Sequence, residues 1–321
     1  MPRPEVSIIY VNWNSLDYLR ESIASVYEHI RSVFEIIVVD NASPEGGVQS
    51  LRDKFPDVRI IESMTNLGFA GANNLGFRHS IAEYVLFLNP DTELISPSFD
   101  LMLFRAKELR DAGIVGCKLL NTDRSVQSSS IQTYPTILNQ VVDAEYLRLR
   151  WPECPLWNIG PLFSDDVGLM KVDVIPGACM LLRRTVFEQV GMFSEDYFMY
   201  AEDLDLNYKV KAAGFANYYC GDTAIIHHGG RSSARQKVSQ WATIMKHRAM
   251  VKLFRKTHGT VYAFGYRLAM GTVAVMRLTL LTLLATLGTL AFDPESLKFS
   301  IDKWKVVLKW AIGKDVALSY K

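Results

Sequence analysis

The sequence predicts an α/β protein whose mainly parallel sheet is flanked by helices. Four short runs, rich in β-branched and aromatic residues, have the pattern of buried parallel strands. Stretches of helical periodicity separate them, and this alternation predicts right-handed crossovers in a doubly wound, Rossmann-like sheet. A chain of 321 residues is long enough to bury one large core or two modest ones. The four runs are residues 6–12, 35–40, 58–63 and 84–88.

The elements of the first half follow in order. Between the first two strands, apolar residues recur every three or four positions, which predicts a helix that Asn14 or Ser15 would cap. Residues 68–79 are the helix expected before the fourth strand. Asp40 ends the second strand and Asp91 follows the fourth. Both therefore lie at carboxyl ends, where open α/β sheets bind ligands.

The second half is expected to be less regular. Residues 121–135 have the composition of a loop, and a helix is predicted to begin near Glu202 and to end at Gly214. From about residue 236 the chain should be helical, with basic and apolar positions interleaved.

The C-terminal tail is predicted to contain a long apolar segment followed by a last helix. Residues 278–292 are uncharged and mostly apolar, which is borderline for a spanning helix and typical of an interfacial or hairpin segment. A last helix is predicted with Asp293 as N-cap and Trp304 on an apolar face flanked by lysines, a pattern that suits a membrane surface. Packing of these helices on the protein itself, or on a second subunit in a homo-oligomer, is the alternative.

The net charge of +1 conceals a strong asymmetry. Between Asp222 and Asp293 there is no acidic residue, yet ten basic residues fall there, which leaves 25 basic and 34 acidic residues elsewhere. Such a basic surface favours anionic lipid over nucleic acid, since no helix-turn-helix, RNP or zinc-finger pattern accompanies it. The ten are Arg231, Arg235, Lys237, Lys246, Arg248, Lys252, Arg255, Lys256, Arg267 and Arg277.

Cysteine usage and the N-terminal residues indicate the compartment. Four isolated cysteines, without a CxxC pair, favour reduced thiols over a disulfide framework or a zinc site. The chain enters a strand almost at once, so no signal peptide is expected. We therefore expect a cytoplasmic protein that associates peripherally with the inner face of the cell membrane.

Seven sequence motifs occur in a specific order. One of them alone would be weak, but with this order and spacing the chain, over about residues 5–260, resembles glycosyltransferase family 2, most closely its rhamnosyltransferase-like branch. The resemblance implies a GT-A fold, a nucleotide-sugar donor, a divalent metal ion and inversion at the anomeric carbon. The motifs are VSIIYVNWN, VVDNAS, NLGFAGANN, LNPDT, PGACMLLRR, FMYAEDLDL and HHGGRSS.

The chain is predicted to divide into three segments, of which the resemblance implies the first two. Residues 1–115 would form the nucleotide-sugar-binding half of the GT-A domain, and residues 116–235 the acceptor-binding and catalytic half. From their composition, residues 236–321 are predicted to be a basic and apolar helical tail that associates with a membrane.

Several residues match the family's nucleotide-binding positions. Asp40 corresponds to the base-reading aspartate, because a carboxylate can accept the N3–H of uracil or thymine. A polar turn made by Asp40 and Asn41 is the alternative. Arg231 and Arg235 would meet either the diphosphate or the membrane. The other matched positions are Val11, Asn12, Trp13, Asn66, Gly68, Gly71, Asn73, Asn74, Asn89, Gly177 and Ala178.

The metal site is implied by an acid and a histidine. Asp91 stands where the family's DXD motif supplies its metal ligand, with Asn89 in place of the first aspartate, and Mg²⁺ or Mn²⁺ is expected there. His227 matches the family's metal-binding histidine. Only one of His227 and His228 should bind easily, because adjacent strand residues point to opposite sides, and His227 is favoured.

The catalytic base is implied by adjacent acids. Asp203 corresponds to the residue that takes the proton from the acceptor hydroxyl, with Glu202 supporting or orienting it. The alternative is that acids in a first helical turn only favour the macrodipole, which is the role expected of Asp205.

The sequence thus predicts an inverting, metal-dependent glycosyltransferase. Rhamnose from dTDP-rhamnose is the first choice of donor, UDP-hexoses come next, and a lipid-linked saccharide or growing cell-surface glycan is the expected acceptor. A nucleotidyltransferase is disfavoured because VNWNS lacks a Gly-rich basic loop. A silent nucleotide-binding scaffold is disfavoured because Asp91, Asp203 and His227 are all present.

Overall fold

The computed structural model describes residues 3–164, 167–229, 240–286 and 294–314. The chain divides into two compact units. The first comprises Met1–Tyr134 and Ala144–Ser232, and the second comprises Pro135–Asp143 and Ser233–Lys321.

Some predicted features lie outside the described residues. They are the N-cap Asp293, the tail residues 287–292, and the basic residues Arg231, Arg235 and Lys237.

Nine strands form one mixed sheet within the described part of the first unit. They are β1 (Val6–Asn12), β2 (Phe34–Asp40), β3 (Arg59–Glu62), β4 (Tyr84–Leu88), β5 (Thr92–Leu94), β6 (Ala112–Leu120), β7 (Leu169–Val172), β8 (Cys179–Arg183) and β9 (Ala216–His227). The four predicted strands are parallel neighbours in the order β3-β2-β1-β4. The order continues β8-β6-β9-β5, with β7 also paired to β9, and there antiparallel pairs predominate. The predicted α/β class is confirmed.

The helices of both units are numbered along the chain. They are α1 (Leu16–His29), α2 (Leu51–Lys54), α3 (Gly68–Arg78), α4 (Ser98–Glu108), α5 (Ile137–Val142), α6 (Glu145–Arg150), α7 (Arg184–Gln189), α8 (Glu202–Ala212), α9 (Gln240–His258), α10 (Thr260–Thr286) and α11 (Pro294–Ala311).

Of the two helix ends predicted near the site, the end of α8 was predicted correctly but the capping of α1 was not. Ser15 occupies the N-cap position of α1, but its hydroxyl donates to the carbonyl of Trp13, so the predicted side-chain cap is absent there. At the end of α8, Gly214 has φ +89°, the left-handed conformation that glycine adopts without strain. The predicted stop at Gly214 is confirmed.

The predicted irregularity of residues 116–235 is wrong for a large part of that segment. It contains most of β6 and all of β7, β8 and β9, which complete the sheet beyond β4. β6 and β9 also shift register against each other, so their sequences do not repeat one simple pattern. Residues 121–135, in contrast, form the expected connecting loop apart from isolated bridges at Val126 and Gln132.

The second unit contains α5 and the three long helices α9, α10 and α11. Its core includes Phe254, Tyr266, Val307 and Trp310. Trp304 also belongs to this core, with 9% of its surface exposed, and the guanidinium of Arg277 lies 4.6 Å from its ring centre. The prediction that this face of α11 meets a membrane is therefore corrected, because packing on α10 buries it.

Most of the large exposed apolar residues described in the second unit lie on α10. This helix has 27 residues and is the one helix in the described residues that is long and apolar enough to cross a membrane. Its buried side carries Ala263, Tyr266, Met270 and Ala274. Its large exposed apolar residues are Val261, Phe264, Leu268, Val275, Met276, Leu280 and Leu283, which we call the α10 stripe.

Candidate functional site

The carboxyl ends of β1 and β2 are tied together by polar side chains. Asn12 and Asp40 are register partners, and Asn12 Nδ2 donates to Asp40 Oδ1 at 2.7 Å. The Ser43 hydroxyl donates to the same oxygen at 2.7 Å, and the Ser43 N–H donates to Oδ2 at 3.2 Å. These are the bonds of the polar turn that was the alternative for Asp40. Base reading by Asp40 stays a prediction, and it would need Oδ2 to accept a further donor. Val11 and Trp13, on either side of Asn12, are partly exposed at this edge.

Asn41 was predicted only as a turn residue, but its side chain stabilises the glycine-rich loop. Its Oδ1 accepts from the Leu67 N–H at 2.8 Å, and its Nδ2 donates to Asn66 Oδ1 at 3.0 Å. Asn66 Oδ1 also accepts from the Gly68 N–H at 2.9 Å. The second strand and the loop that begins α3 are thus held as one framework at the edge of the sheet.

Gly68 allows a close approach between two motifs. It has φ +71°, and a Cβ at this position would lie 2.2 Å from the carbonyl oxygen of Phe198. The neighbouring Phe69 N–H donates to that same oxygen at 3.2 Å. The NLGFAGANN loop therefore packs directly on the FMYAEDLDL segment, and only glycine fits at this contact.

The two asparagines inside α3 serve the same packing. Asn74, 1% exposed, donates from Nδ2 to the carbonyl of Phe193 and to Glu195 Oε1, both at 2.9 Å. Asn73 is equally buried and donates to the carbonyl of Phe69. The structure thus gives both residues structural bonds, and contact of Asn73 with a nucleotide stays a prediction.

The backbone entering α8 is strained. Tyr200 and Ala201 have φ of +71° and +65°, a conformation uncommon for residues other than glycine, asparagine and aspartate. Such strain costs about 1–3 kcal/mol per residue and persists only where the surroundings impose it, typically at functional sites. The two residues directly precede Glu202 and Asp203, so the strained backbone sets the orientation in which these acids begin α8.

Asp203 is partly exposed and tied to the loop before β8. Its Oδ2 accepts from the Gly177 N–H at 3.0 Å, and its Oδ1 accepts from the Leu204 N–H at 2.8 Å. Desolvation raises the pKa of Asp203, and these backbone N–H groups oppose the rise. A carboxylate with a raised pKa is a stronger base, and this one is held in a fixed orientation.

Glu202 has a different environment. It is 7% exposed, and its buried Oε2 finds no hydrogen-bond partner among the described residues. Burial, and then the neighbouring Asp203 charge, raise the pKa of Glu202 to about 8. Burial therefore favours the protonated form of Glu202.

Asp205 does more than favour the helix start. Its Oδ2 accepts from the Ser194 hydroxyl at 2.5 Å, and its Oδ1 accepts from the Tyr197 hydroxyl at 3.3 Å. The expectation of a macrodipole role alone is therefore corrected, because Asp205 anchors the segment that leads into the strained turn.

Asp91 and His227 face each other across β5 and β9. Asp91 is 6% exposed, and its Oδ1 lies 3.4 Å from His227 Nε2. Asn89 Nδ2 lies 3.4 Å from the same nitrogen. His228 points elsewhere, with its Nε2 3.4 Å from Glu93 Oε2. This geometry supports His227 over His228 as the metal ligand, which stays a prediction.

The pair formed by Asp91 and His227 lies at the same edge of the sheet as the two adjacent acids. β4 and β8 are antiparallel neighbours, and the Asn89 N–H donates to the carbonyl of Ala178 at 3.0 Å. Gly177, the adjacent residue, holds Asp203. The structure thus brings the predicted groups Asn89, Asp91 and Asp203 together through one short loop.

The donor set fits a divalent ion that also binds a ligand. A buried carboxylate and an imidazole nitrogen face each other at 3.4 Å, and oxygen and imidazole ligands suit Mn²⁺. Within the described ranges no three acidic, histidine or cysteine side chains converge on one point. Asp91 and His227 would therefore hold the ion together with oxygen atoms of a bound ligand.

An open cleft of about 650 Å³ borders His227. Its lining includes the polar side chains of Ser125 and Gln127 and the apolar side chains of Leu149 and Phe163. Leu149 and Phe163 are 50% and 48% exposed. The cleft therefore offers both polar and apolar side chains to a ligand.

The residues that the sequence did not single out act through contacts distant in the chain. Gln127 Oε1 lies 3.0 Å from His227 Nδ1, and Phe198 packs on Gly68. Asn207 is fully buried and joins α8 to Ile175 by bonds of 2.9 and 3.0 Å. No quoted motif contains Gln127 or Asn207, and Phe198, although it lies in FMYAEDLDL, has no polar group that would have marked it.

Comparison with known sequences identifies the family. The family described as Glycosyl transferase family 2 matches residues 7–191. The N-acetylglucosaminyl-diphospho-decaprenol L-rhamnosyltransferase of Mycobacterium tuberculosis (strain H37Rv) is 29% identical over 246 residues, which cover 73% of this chain and 80% of that protein. Rhamnosyltransferase WbbL of Escherichia coli (strain K12) is 28% identical over 258 residues, covering 74% of this chain and 89% of the relative.

Comparison with solved structures agrees on the fold. The mannosyltransferase PcManGT from Pyrobaculum calidifontis, in complex with GDP-Man and Mn²⁺, matches with a TM-score of 0.62 and 19% identity over 98% of this chain and 88% of that chain. This likeness confirms the predicted GT-A fold. Inversion at the anomeric carbon is typical of the matched family. The family match spans more than half of the sequence, so the chain belongs to glycosyl transferase family 2 and is a glycosyltransferase.

Proposed function

We propose that this chain transfers L-rhamnose from dTDP-rhamnose to a lipid-linked saccharide at the cytoplasmic face of a membrane, using Mg²⁺ or Mn²⁺. The observation that carries the proposal is the meeting of Asp91, His227 and Asp203 at one edge of the sheet. The choice of rhamnose as the sugar is based on the two relatives that are named as rhamnosyltransferases. A UDP-hexose is the alternative donor, favoured by a hexosyltransferase relative, Agl10 of Haloferax volcanii, which is 29% identical over 230 residues.

Asp203 would act as the base. Its carboxylate takes the proton of the acceptor hydroxyl while that oxygen forms a bond to C1 of the sugar. The bond from C1 to the diphosphate oxygen breaks, and the nucleoside diphosphate leaves with the electron pair. Attack opposite to the leaving group inverts the anomeric carbon. The pKa of Asp203, raised by burial, strengthens it for this step.

Asp91 and His227 would bind the metal ion on the donor side. When bound, the ion would neutralise negative charge on the leaving diphosphate. The edge formed by Val11, Asn12 and Trp13 would receive the nucleoside, with Asp40 as the base-reading candidate. The donor would thus use mainly residues 1–115, and the acceptor residues 116–235.

The cleft beside His227 would receive the acceptor. Ser125 and Gln127 in its lining suit sugar hydroxyls, and Leu149 and Phe163 suit the start of a lipid. The Mycobacterium tuberculosis relative is named for an acceptor of this amphiphilic kind.

Lipid contact would involve the α10 stripe. Seven large apolar side chains on one helix are exposed, while Arg255 and Lys256 are exposed shortly before that helix begins. Exposed apolar side chains next to cations favour anionic bilayer surfaces. We therefore assign the stripe to a membrane surface in preference to a second copy of the chain.

Nucleotide binding tests the donor part of the proposal. We expect calorimetry with dTDP, UDP, GDP and CMP to show binding of dTDP or UDP that depends on Mn²⁺, with GDP and CMP weaker. dTDP tighter than UDP would favour rhamnose, and the reverse order would favour a UDP-hexose. The absence of binding by any of the four nucleotides would contradict the proposal.

Flotation with vesicles tests the membrane part. Wild type should float with phosphatidylglycerol vesicles, and the triple variant Phe264→Gln, Leu268→Gln, Leu280→Gln should lose most of that binding, because these side chains are 66%, 63% and 57% exposed. Phe104→Gln, at a 56% exposed position of the first unit, is the matched control and should still float. Unchanged flotation of the triple variant would contradict lipid contact, and loss of a wild-type dimer in sedimentation would assign the stripe to a second copy.

A further inference from the structure

Gln127 is held in a single amide orientation beside His227. Its Nε2 donates to the carbonyl oxygen of His227 and, at 3.4 Å, to that of Leu120. Its Oε1 then lies 3.0 Å from the Nδ1 of the His227 ring. Gln127 is 9% exposed, so this arrangement is largely shielded from water. A flipped amide would place its NH₂ group on the ring and its oxygen against two carbonyls, losing both donated bonds.

This orientation determines where the ring proton lies. An amide oxygen can only accept, so His227 Nδ1 must carry the hydrogen that it donates. The neutral ring then has its lone pair on Nε2, the nitrogen that lies 3.4 Å from Asp91 Oδ1. Asn89 Nδ2, at 3.4 Å from Nε2, is an N–H donor that is compatible with a lone pair there.

We propose that Gln127 is a positioning residue: it fixes His227 in the Nδ1–H tautomer and so directs the Nε2 lone pair to a divalent cation shared with Asp91. The inference rests on the proposed function of that pair. Histidines that bind metal commonly donate their other ring N–H to a carbonyl or carboxylate, which orients the ring and raises its basicity. The partner here is 100 residues away in the chain, in the 121–135 loop.

The neighbouring histidine provides an internal comparison. His228 Nδ1 lies 3.0 Å from the Thr122 hydroxyl, which can donate or accept and therefore selects no tautomer. Its Nε2 faces Glu93. The two adjacent histidines thus differ in the one feature that the proposal requires, and Thr122→Val is a matched control for Gln127→Leu.

The tautomer is measured directly by ¹⁵N NMR of the histidine rings in the metal-free protein, at a pH high enough that the rings are neutral, with His227→Gln to assign the signal. Wild type, Thr122→Val and Gln127→Glu should show the Nδ1–H form of His227, since a carboxylate also accepts from Nδ1. Gln127→Leu should show a mixture of forms or a shift to Nε2–H. A wild-type His227 in the Nε2–H form would overturn the proposal.

Metal binding is the second readout. Titration of Mn²⁺ with UDP, followed by electron paramagnetic resonance, should show about 10- to 100-fold weaker affinity in Gln127→Leu. Gln127→Glu and Thr122→Val should stay within a few-fold of wild type. Gln127→Glu also loses the bond to the His227 carbonyl, so an equal loss in both Gln127 variants would mean a structural role and would overturn the proposal.

The same data separate this inference from the proposed function. If wild type binds no Mn²⁺ with UDP or dTDP, the metal role of Asp91 and His227 fails, whatever the tautomer. If wild type binds Mn²⁺ and Gln127→Leu binds it equally well, only the role of Gln127 fails.

Discussion

Replacement of Asp203 by Asn is expected to lower the rate of sugar transfer by about 10²- to 10⁴-fold, the usual contribution of a general base. The amide keeps the shape of the side chain and one oxygen to accept the Gly177 N–H, but it cannot take a proton. Binding of the nucleotide should stay within a few-fold, because the expected donor contacts lie on Asp91, His227 and the ends of β1 and β2. Single-turnover transfer and nucleotide calorimetry on the same preparation measure both effects.

Glu202→Gln is the matched comparison on the same helical turn. Burial raises the pKa of Glu202, so the neutral amide resembles the protonated form that burial favours. We expect a much smaller loss than for Asp203→Asn. If Asp203→Asn keeps its turnover, or if Glu202→Gln loses as much, Asp203 is not the base.

Gly68→Ala is expected to have the second large effect, on both stability and transfer. The new Cβ would lie 2.2 Å from the Phe198 carbonyl oxygen, and the residue would have to keep φ +71°. The cost of the backbone conformation alone is about 1–3 kcal/mol, and relieving the clash must displace Phe198. Because Phe198 leads into the strained Tyr200 and Ala201 turn, Asp203 should move and transfer should fall by at least about tenfold.

Gly46→Ala is a control that introduces similar backbone strain without displacing a neighbouring residue. Gly46 has a similar φ of +63°, yet a Cβ there meets nothing within 4 Å. Denaturant unfolding should show a smaller loss for Gly46→Ala, and its transfer rate should match wild type. Equal effects of the two substitutions would mean that the contact between Gly68 and Phe198 does not position the acids.

The donor half of the sheet was predictable because its signals are local. Residues 6–12, predicted as a strand, are β1 itself, and their mostly apolar composition reflects burial on both faces. The ends of β2 and β4 then carry Asp40 and Asp91 to the predicted edge. Proximity of these residues follows from parallel strands alone, without knowledge of any contact.

The other half depends on contacts between distant residues, which a single sequence does not display. β6 and β9 pair in parallel although they are about 100 residues apart, and their register shifts interrupt any regular alternation. Gln127 reaches His227 through this pairing, because the 121–135 loop follows β6 directly. The same holds for Gly68, whose motif was recognised but whose contact with Phe198 needed the structure.

Some side chains have functions that residue type alone does not decide. The carboxylate of Asp40 is hydrogen-bonded to Asn12 and Ser43, as in a structural turn, although its position matches a nucleotide-binding residue. Trp304 has the character of a membrane-boundary residue but is buried by α10. In both cases the partner, and not the side chain, determines the outcome.

The most direct test of the central claim is the transfer reaction itself. Purified protein with Mn²⁺, dTDP-rhamnose or a UDP-hexose, and N-acetylglucosaminyl-diphospho-decaprenol as acceptor would be followed by mass spectrometry and by NMR of the new linkage. We expect one added sugar with an inverted anomeric configuration and release of the nucleoside diphosphate. The product should be lost with Asp203→Asn. Nucleoside diphosphate released without a glycosylated product, or equal product from Asp203→Asn, would contradict the central claim.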